Sequence, residues 1–145
     1  MYFCLMKNIF LTFNLSLLLL LISCDLSKEG GVRVGNNMEE YALKYLENND
    51  ILETDEKILA YYDYTISLDG TTAAIITDTN LIYHNQGTIT TYYSLADITK
   101  IHHYEKSLEG LFIEVWKEDE LMMIEIAHWQ NADIFLNLLK KKTNL

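Results

Sequence analysis

The chain has 145 residues, 21 acidic against 11 basic side chains, a formal charge of −10, two cysteines and no proline. So acidic a surface repels phosphate backbones and anionic head groups, which argues against a nucleic-acid partner. The length suits one domain with one core rather than two.

Met6 to Cys24 has the order of an export signal: a lysine at the head (Lys7), an apolar run from Ile9 to Ile22, a small residue and a cysteine. The run is interrupted by Thr12, Asn14 and Ser16 and is shorter than the roughly 20 residues a spanning helix needs. Its end, Leu21-Ile22-Ser23-Cys24, resembles the lipobox of bacterial lipoproteins. That resemblance implies cleavage before Cys24, diacylglycerol on its sulfur, and usually a third acyl chain on the new amino group, with palmitate as the label to look for. It also implies a place in the cell envelope, lipid-anchored on the extracytoplasmic side of a bacterial membrane, with inner or outer membrane left open. Met6 is an alternative start to Met1. Residues 1–23 are therefore set apart from the fold. Cys4 goes with them and Cys24 carries the lipid, so no thiol pair is left for an internal disulfide.

Residues 24–36 are mostly polar, contain Gly30, Gly31 and Gly35, and read as a flexible tether with a reach of about 20 Å. A short helix is expected over 37–50. Asn37 is its candidate cap, Glu40 completes a capping-box-like pattern, and Glu40 and Lys44 form an i,i+4 pair. Met38, Tyr41, Ala42, Tyr45 and Leu46 make its apolar stripe.

The folded body spans 51–145. Its pattern turns to alternation at Lys57–Ser67, where Ile58, Ala60, Tyr62, Tyr64 and Ile66 are expected on one face. Asp69-Gly70 marks a turn, and strands follow at Thr71–Asp78, Asn80–Asn85, Thr88–Ser94 and Ile98–Glu105. Leu111–Lys117 and Leu121–Ala127 make the sixth and seventh, joined by Glu118-Asp119-Glu120. Leu111, Ile113 and Val115 share one face of the sixth; Met122, Ile124 and Ile126 share one face of the seventh. A closing helix is expected over Ala132–Lys142, capped by Asn131 and buried through Ile134, Phe135, Leu138 and Leu139. Lys140-Lys141-Lys142 suits its C-terminus. The fold class is α+β, mainly β: a seven-stranded antiparallel sandwich or partly open barrel, capped by the C-terminal helix and preceded by a short N-terminal one.

Three local patterns carry a family resemblance. Glu56-Lys57-Ile58-Leu59 enters the first strand. Ile75-Ile76-Thr77-Asp78-Thr79-Asn80-Leu81-Ile82-Tyr83 forms a strand–turn–strand, with Asn80 where a basic residue is common. Tyr93-Ser94-Leu95-Ala96-Asp97-Ile98-Thr99-Lys100-Ile101 is a short corner. Together, over Leu52 to Lys142, they resemble the bacterial pleckstrin-homology-like (PH-like) domains. The resemblance implies a non-catalytic binding or scaffolding module. Lipid-binding members of the wider superfamily carry basic residues around the first hairpin, but Ser67-Leu68-Asp69-Gly70 has none, so a phosphoinositide is not expected. Peptides often dock beside the fifth strand and last helix in this superfamily, which points to Ile98–Tyr104 and the face of the closing helix.

Catalytic and metal chemistry find little support. His102 and His103 are adjacent in a strand and point to opposite faces, so one is expected packed and the other exposed. With His84 and His128 they show no ligand spacing, so neither a metal nor a cofactor is expected. Glu118-Asp119-Glu120 reads as a solvated turn. No nucleophile elbow or glycine-rich phosphate loop is present. Both tryptophans, Trp116 and Trp129, are expected in packed positions, with a recognition surface as the alternative. The functional expectation is a lipid-anchored, non-catalytic module that binds an envelope protein or peptide. The alternatives are an inhibitor or immunity-type lipoprotein that neutralises a toxin or hydrolase, favoured by the acidic charge, and an enzyme with an unrecognised site.

Overall fold

The computed structural model describes residues 31–35 and 37–145. The lipobox residues Leu21, Ile22, Ser23 and Cys24 lie outside the described residues. In chain order the elements are β1 (Arg33–Val34), α1 (Glu40–Asn48), β2 (Ile58–Asp63), β3 (Thr72–Thr77), β4 (Asn80–Asn85), β5 (Thr91–Ser94), β6 (Lys100–Lys106), β7 (Gly110–Lys117), β8 (Glu120–Ala127) and α2 (Ala132–Thr143). Two antiparallel sheets form, β1-β2-β3-β4-β5 and β6-β7-β8, and they do not close into a barrel.

The main core lies between the sheets and under α2. Ala60, Tyr62, Ala74, Ile76 and Leu81 meet Leu111, Ile113, Val115, Met122, Ile124 and Ile126, with Phe135, Leu136 and Leu139 of α2 over them. The alternating faces read in β7 and β8 are the buried ones. A second core lies on the other side of the five-stranded sheet. There Ala42 and Leu46 of α1, with Ile51, cover Ile58, Tyr61, Ala73, Ile75 and Ile82. Apolar cover on both faces explains why β3 reads Thr-Ala-Ala-Ile-Ile-Thr without a polar alternate. Gly70, with φ +83, lets α1 come close, because a Cβ there would stand 3.2 Å from the Ala42 carbonyl oxygen. Tyr41 Oη donates to the Ser67 carbonyl at 3.0 Å and Tyr92 Oη to that of Ile51 at 3.1 Å, so α1 and the turn after it are tied down at both ends.

Several expectations are corrected. The single face from Ile58 to Ile66 does not exist. A register shift between Ile58 and Ala60 turns Ile58 to the α1 side while Ala60 and Tyr62 face the main core. Ile66 lies beyond the strand's end and is fully exposed. The tether expected over 24–36 ends earlier than its composition suggests: Val32 is buried and Arg33–Val34 pair with Tyr61 and Ala60 as an eighth strand. Neither helix has its expected side-chain cap. Glu39, not Asn37, stands at the start of α1 and pairs with Arg33 at 3.1 Å. Asn131 does start α2, but in the left-handed conformation and without a side-chain cap bond. The Glu40–Lys44 pair forms, at 2.7 Å, and the three lysines occupy the last turn of α2.

Candidate binding surface

An exposed strand edge is a row of unpaired donors and acceptors, and the two edges of the three-stranded sheet differ. The edge of β8 is closed by side chains. Ala127 N–H donates to Tyr62 Oη at 3.1 Å and Glu125 N–H to Tyr64 Oη at 3.3 Å. The rings of Tyr62, Tyr64 and Tyr83 pack edge-to-face, with centroids 4.9 and 5.8 Å apart. Hydroxyls thus stand in for a strand partner between β8 and β2.

This arrangement fixes the directions in the rest of the sheet. The N–H groups of Glu125 and Ala127 point outward, so β8 bonds to β7 through Met122, Ile124 and Ile126. By alternation β7 bonds to β6 through Phe112, Glu114 and Trp116, which pair with Tyr104, His102 and Lys100. The backbone groups of Ile101, His103 and Glu105 then face away from β7. The seven-residue β6 has no second partner strand among the described residues. At one end of the strand Glu105 borders a cleft with Asn131, Ala132 and Asp133 at the start of α2; Ile101 and Leu138 are half-buried against the main core, and Ile134, one turn before Leu138, is exposed.

The outer face of this sheet is aromatic and topped by cations. Tyr104 stacks flat on Phe112, with centroids 5.3 Å apart, and Lys106 Nζ lies 4.3 Å above the Phe112 ring. His102 Nδ1 lies 3.2 Å from a Glu114 oxygen, and Lys100 Nζ is 5.7 Å from the Trp116 ring. Trp116 is half-buried, and its Nε1 is buried without a hydrogen-bond partner among the described residues. Leu121 and Met123 continue the face, both exposed. The cover over Phe112, Glu114 and Trp116 comes from side chains of β6.

The hairpin loop between β2 and β3 is built around carboxylates. Buried Asp63 accepts from Tyr61 Oη, Gly70 N–H (2.7 Å), Thr65 N–H (2.7 Å) and Thr65 Oγ1 (2.6 Å). Burial first, and then the Asp63 carboxylate, push the Tyr61 hydroxyl well above its ordinary pKa. Asp69 accepts from Ser67 Oγ and from Thr71, and these bonds hold its carboxyl down to about 2. A cleft of about 550 Å³ borders this loop, lined by Tyr62, Asp63, Tyr64 and Leu68 among others. Its lining holds an acidic side chain, Asp63, and no Lys or Arg, a poor setting for a phosphate.

The histidines do not gather. His84 is buried, with Nδ1 2.8 Å from Thr90 Oγ1 and Nε2 3.2 Å from Tyr45 Oη, and burial lowers its pKa. His102 and His103 are both exposed, which corrects the expectation that one is packed: along β6 the core ends at Ile101, so the inward-facing His103 overhangs it. Among the described residues no three His, Cys, Asp or Glu side chains are grouped to hold a metal ion. Glu118, Asp119 and Glu120 form an exposed turn. Trp129 overturns the expectation of packing: it is 94% exposed, in the loop between β8 and α2, with φ +68. Among the described residues no helix is long and apolar enough to cross a membrane.

No curated protein sequence matches the chain. Crystal structures that share its fold include two from Shewanella. One is a pleckstrin homology domain from Shewanella amazonensis, with a TM-score of 0.54 and 16% identity, covering 75% of this chain and 93% of that one. The other is a DUF1696 family protein with a pleckstrin-homology domain from Shewanella loihica, with a TM-score of 0.54 and 14% identity, covering 79% of this chain and 98% of that one. Residues 52–141, from just after α1 to near the end of α2, match the profile described as Bacterial PH domain, and the chain belongs to that family.

Proposed function

We propose that this protein is a lipid-anchored, non-catalytic binding module of the bacterial cell envelope, and that it takes an extended segment of another envelope protein as an added strand on β6. The open edge of β6 carries this reading. The edge of β8 is closed by tyrosine hydroxyls, whereas Ile101, His103 and Glu105 offer their backbone groups on the side of β6 away from β7. The lipobox Leu21–Cys24 supports anchoring, and the carboxylate-centred first hairpin speaks against a phosphoinositide ligand. Crosslinking in native membranes with a photoreactive residue at 103, followed by mass spectrometry, should recover one reproducible partner peptide. Recovery of none, or the same recovery from a photoreactive residue at 119 in the exposed turn, would count against the site.

The charge of −10 favours a second reading, an inhibitor or immunity-type lipoprotein steered onto a basic toxin or hydrolase. Protection of producing cells in a killing assay, lost on deletion, is its test.

A further inference from the structure

Two large apolar side chains stand in water at one end of the three-stranded sheet. Trp129 is 94% exposed and Leu108 is 94% exposed. Register places them together. Gly110 pairs with both Lys106 and Ala127, so the turn at 107–109 and the loop from His128 leave the same end of the sheet. The N-terminal segment joins the body at this end too. Val32 N–H donates to the Gln130 carbonyl at 2.9 Å, and a Cβ on Gly31 would stand 3.3 Å from that same oxygen. Gln130 directly follows Trp129. Gly31 lies seven positions after Cys24, a span of at most about 25 Å when fully extended.

From this juxtaposition we infer that the Trp129–Leu108 end of the domain docks on the surface of the bilayer that holds Cys24. The inference rests on the lipid-anchor reading. A short tether holds this end, and not another, near the membrane. Tryptophan is the side chain best suited to the head-group region, with an apolar ring and one polar N–H. Nearby Glu105 and Asp133, which border the cleft beside Trp129, make zwitterionic lipid the matching surface. Docked this way, the domain has a fixed end toward the membrane, and β6 runs away from it with its edge open to the side.

The test uses the full chain as cells process it, purified from membranes and reconstituted in phosphatidylcholine vesicles, with or without bromine on the acyl chains. Palmitate labelling and flotation with the vesicles report the anchor. Brominated lipid is expected to quench the emission of Trp129 to about half, as for an interfacial tryptophan. That component should vanish in Trp129→Phe, a change at an exposed site that leaves Trp116 as an internal reference. A labelled, floating protein without quenching, or with quenching that survives Trp129→Phe, overturns the docking and leaves the anchor standing. A product that neither carries palmitate nor floats overturns both. A tryptophan that is covered by a protein partner and not by lipid gives the first of these results.

Discussion

Asn80 Nδ2 donates to Glu56 Oε1 at 2.9 Å, joining residues 24 positions apart at one corner of the five-stranded sheet. Thr77 Oγ1 and Thr79 Oγ1 (2.9 Å) donate to the same oxygen, and Glu56 Oε2 accepts from Glu53 N–H at 3.0 Å. Leu95 N–H reaches the Thr79 carbonyl at 2.9 Å. Two of the three sequence patterns that carried the family resemblance therefore meet at one carboxylate, and the third is tied to the backbone of Thr79 beside it. Glu56→Ala should cost about 1–3 kcal/mol, because it strips acceptors from a buried threonine and two neighbours. Glu56→Gln, which keeps one acceptor oxygen, should cost less. Urea unfolding of the two variants checks the order.

The pH dependence has two sides. Burial raises the pKa of the Glu56 carboxyl, but the bonds from Thr77, Glu53, Asn80 and Thr79 outweigh it and hold it below its ordinary 4.5; Asp69 is held down to about 2 from 3.8. A depressed acid stabilises the fold above its unfolded pKa, and that contribution goes as pH falls through the folded value. The urea midpoint should thus drop from pH 4.5 toward pH 2, and less steeply in the Glu56→Gln/Asp69→Asn double variant. Tyr61, Tyr62 and Tyr64 are shifted the other way, each raised above 10.0 chiefly by burial. Their contribution is whole below 10.0 and is lost as pH rises beyond it, so a second decline is expected in alkali.

Gly110 starts β7 with φ +134, and a Cβ there would meet the Ile126 carbonyl oxygen at 2.2 Å and Ala127 Cα at 2.9 Å. Both obstacles are backbone and cannot swing aside. Gly110→Ala should destabilise by about 3 kcal/mol. Gly87, with open space around its Cβ position but φ +86, serves as control. Its alanine variant should cost about 1 kcal/mol from conformation alone. Thermal melts separate the two.

His103 tests the β6 edge directly. Proline is tolerated in an edge strand where the N–H faces solvent. His103→Pro should change stability by about 1 kcal/mol while removing the central donor that an added strand would use. Partner recovery should fall by about tenfold or more, whereas His103→Ala should retain it. Equal recovery from both variants would assign the partner to another surface.

What the sequence made legible is what rests on local pattern. The opposed faces of Leu111, Ile113, Val115 and of Met122, Ile124, Ile126 follow from alternation, and the closing helix follows from its spacing. The features missed depend on distant partners. A two-residue β1 has no periodicity to read, and it exists because β2 offers an edge at Ala60 and Tyr61. The Ile58 shift becomes sensible only once α1 covers the other face. Of the candidate surface, β6 was located by family resemblance. That it is the open edge of its own sheet, while β8 is closed, depends on two tyrosine hydroxyls that meet backbone more than 60 residues away. A tryptophan in isolation reads as core, and no local signal marks Trp129 as an exception.

The slab of Ile58, Tyr61, Ile75 and Ile82 beneath α1 bears on how this protein should be handled. A fragment trimmed to the family boundary at residue 52 would bare that oily surface, and clumping of such a fragment in the tube would reflect the cut rather than an innate tendency to self-associate.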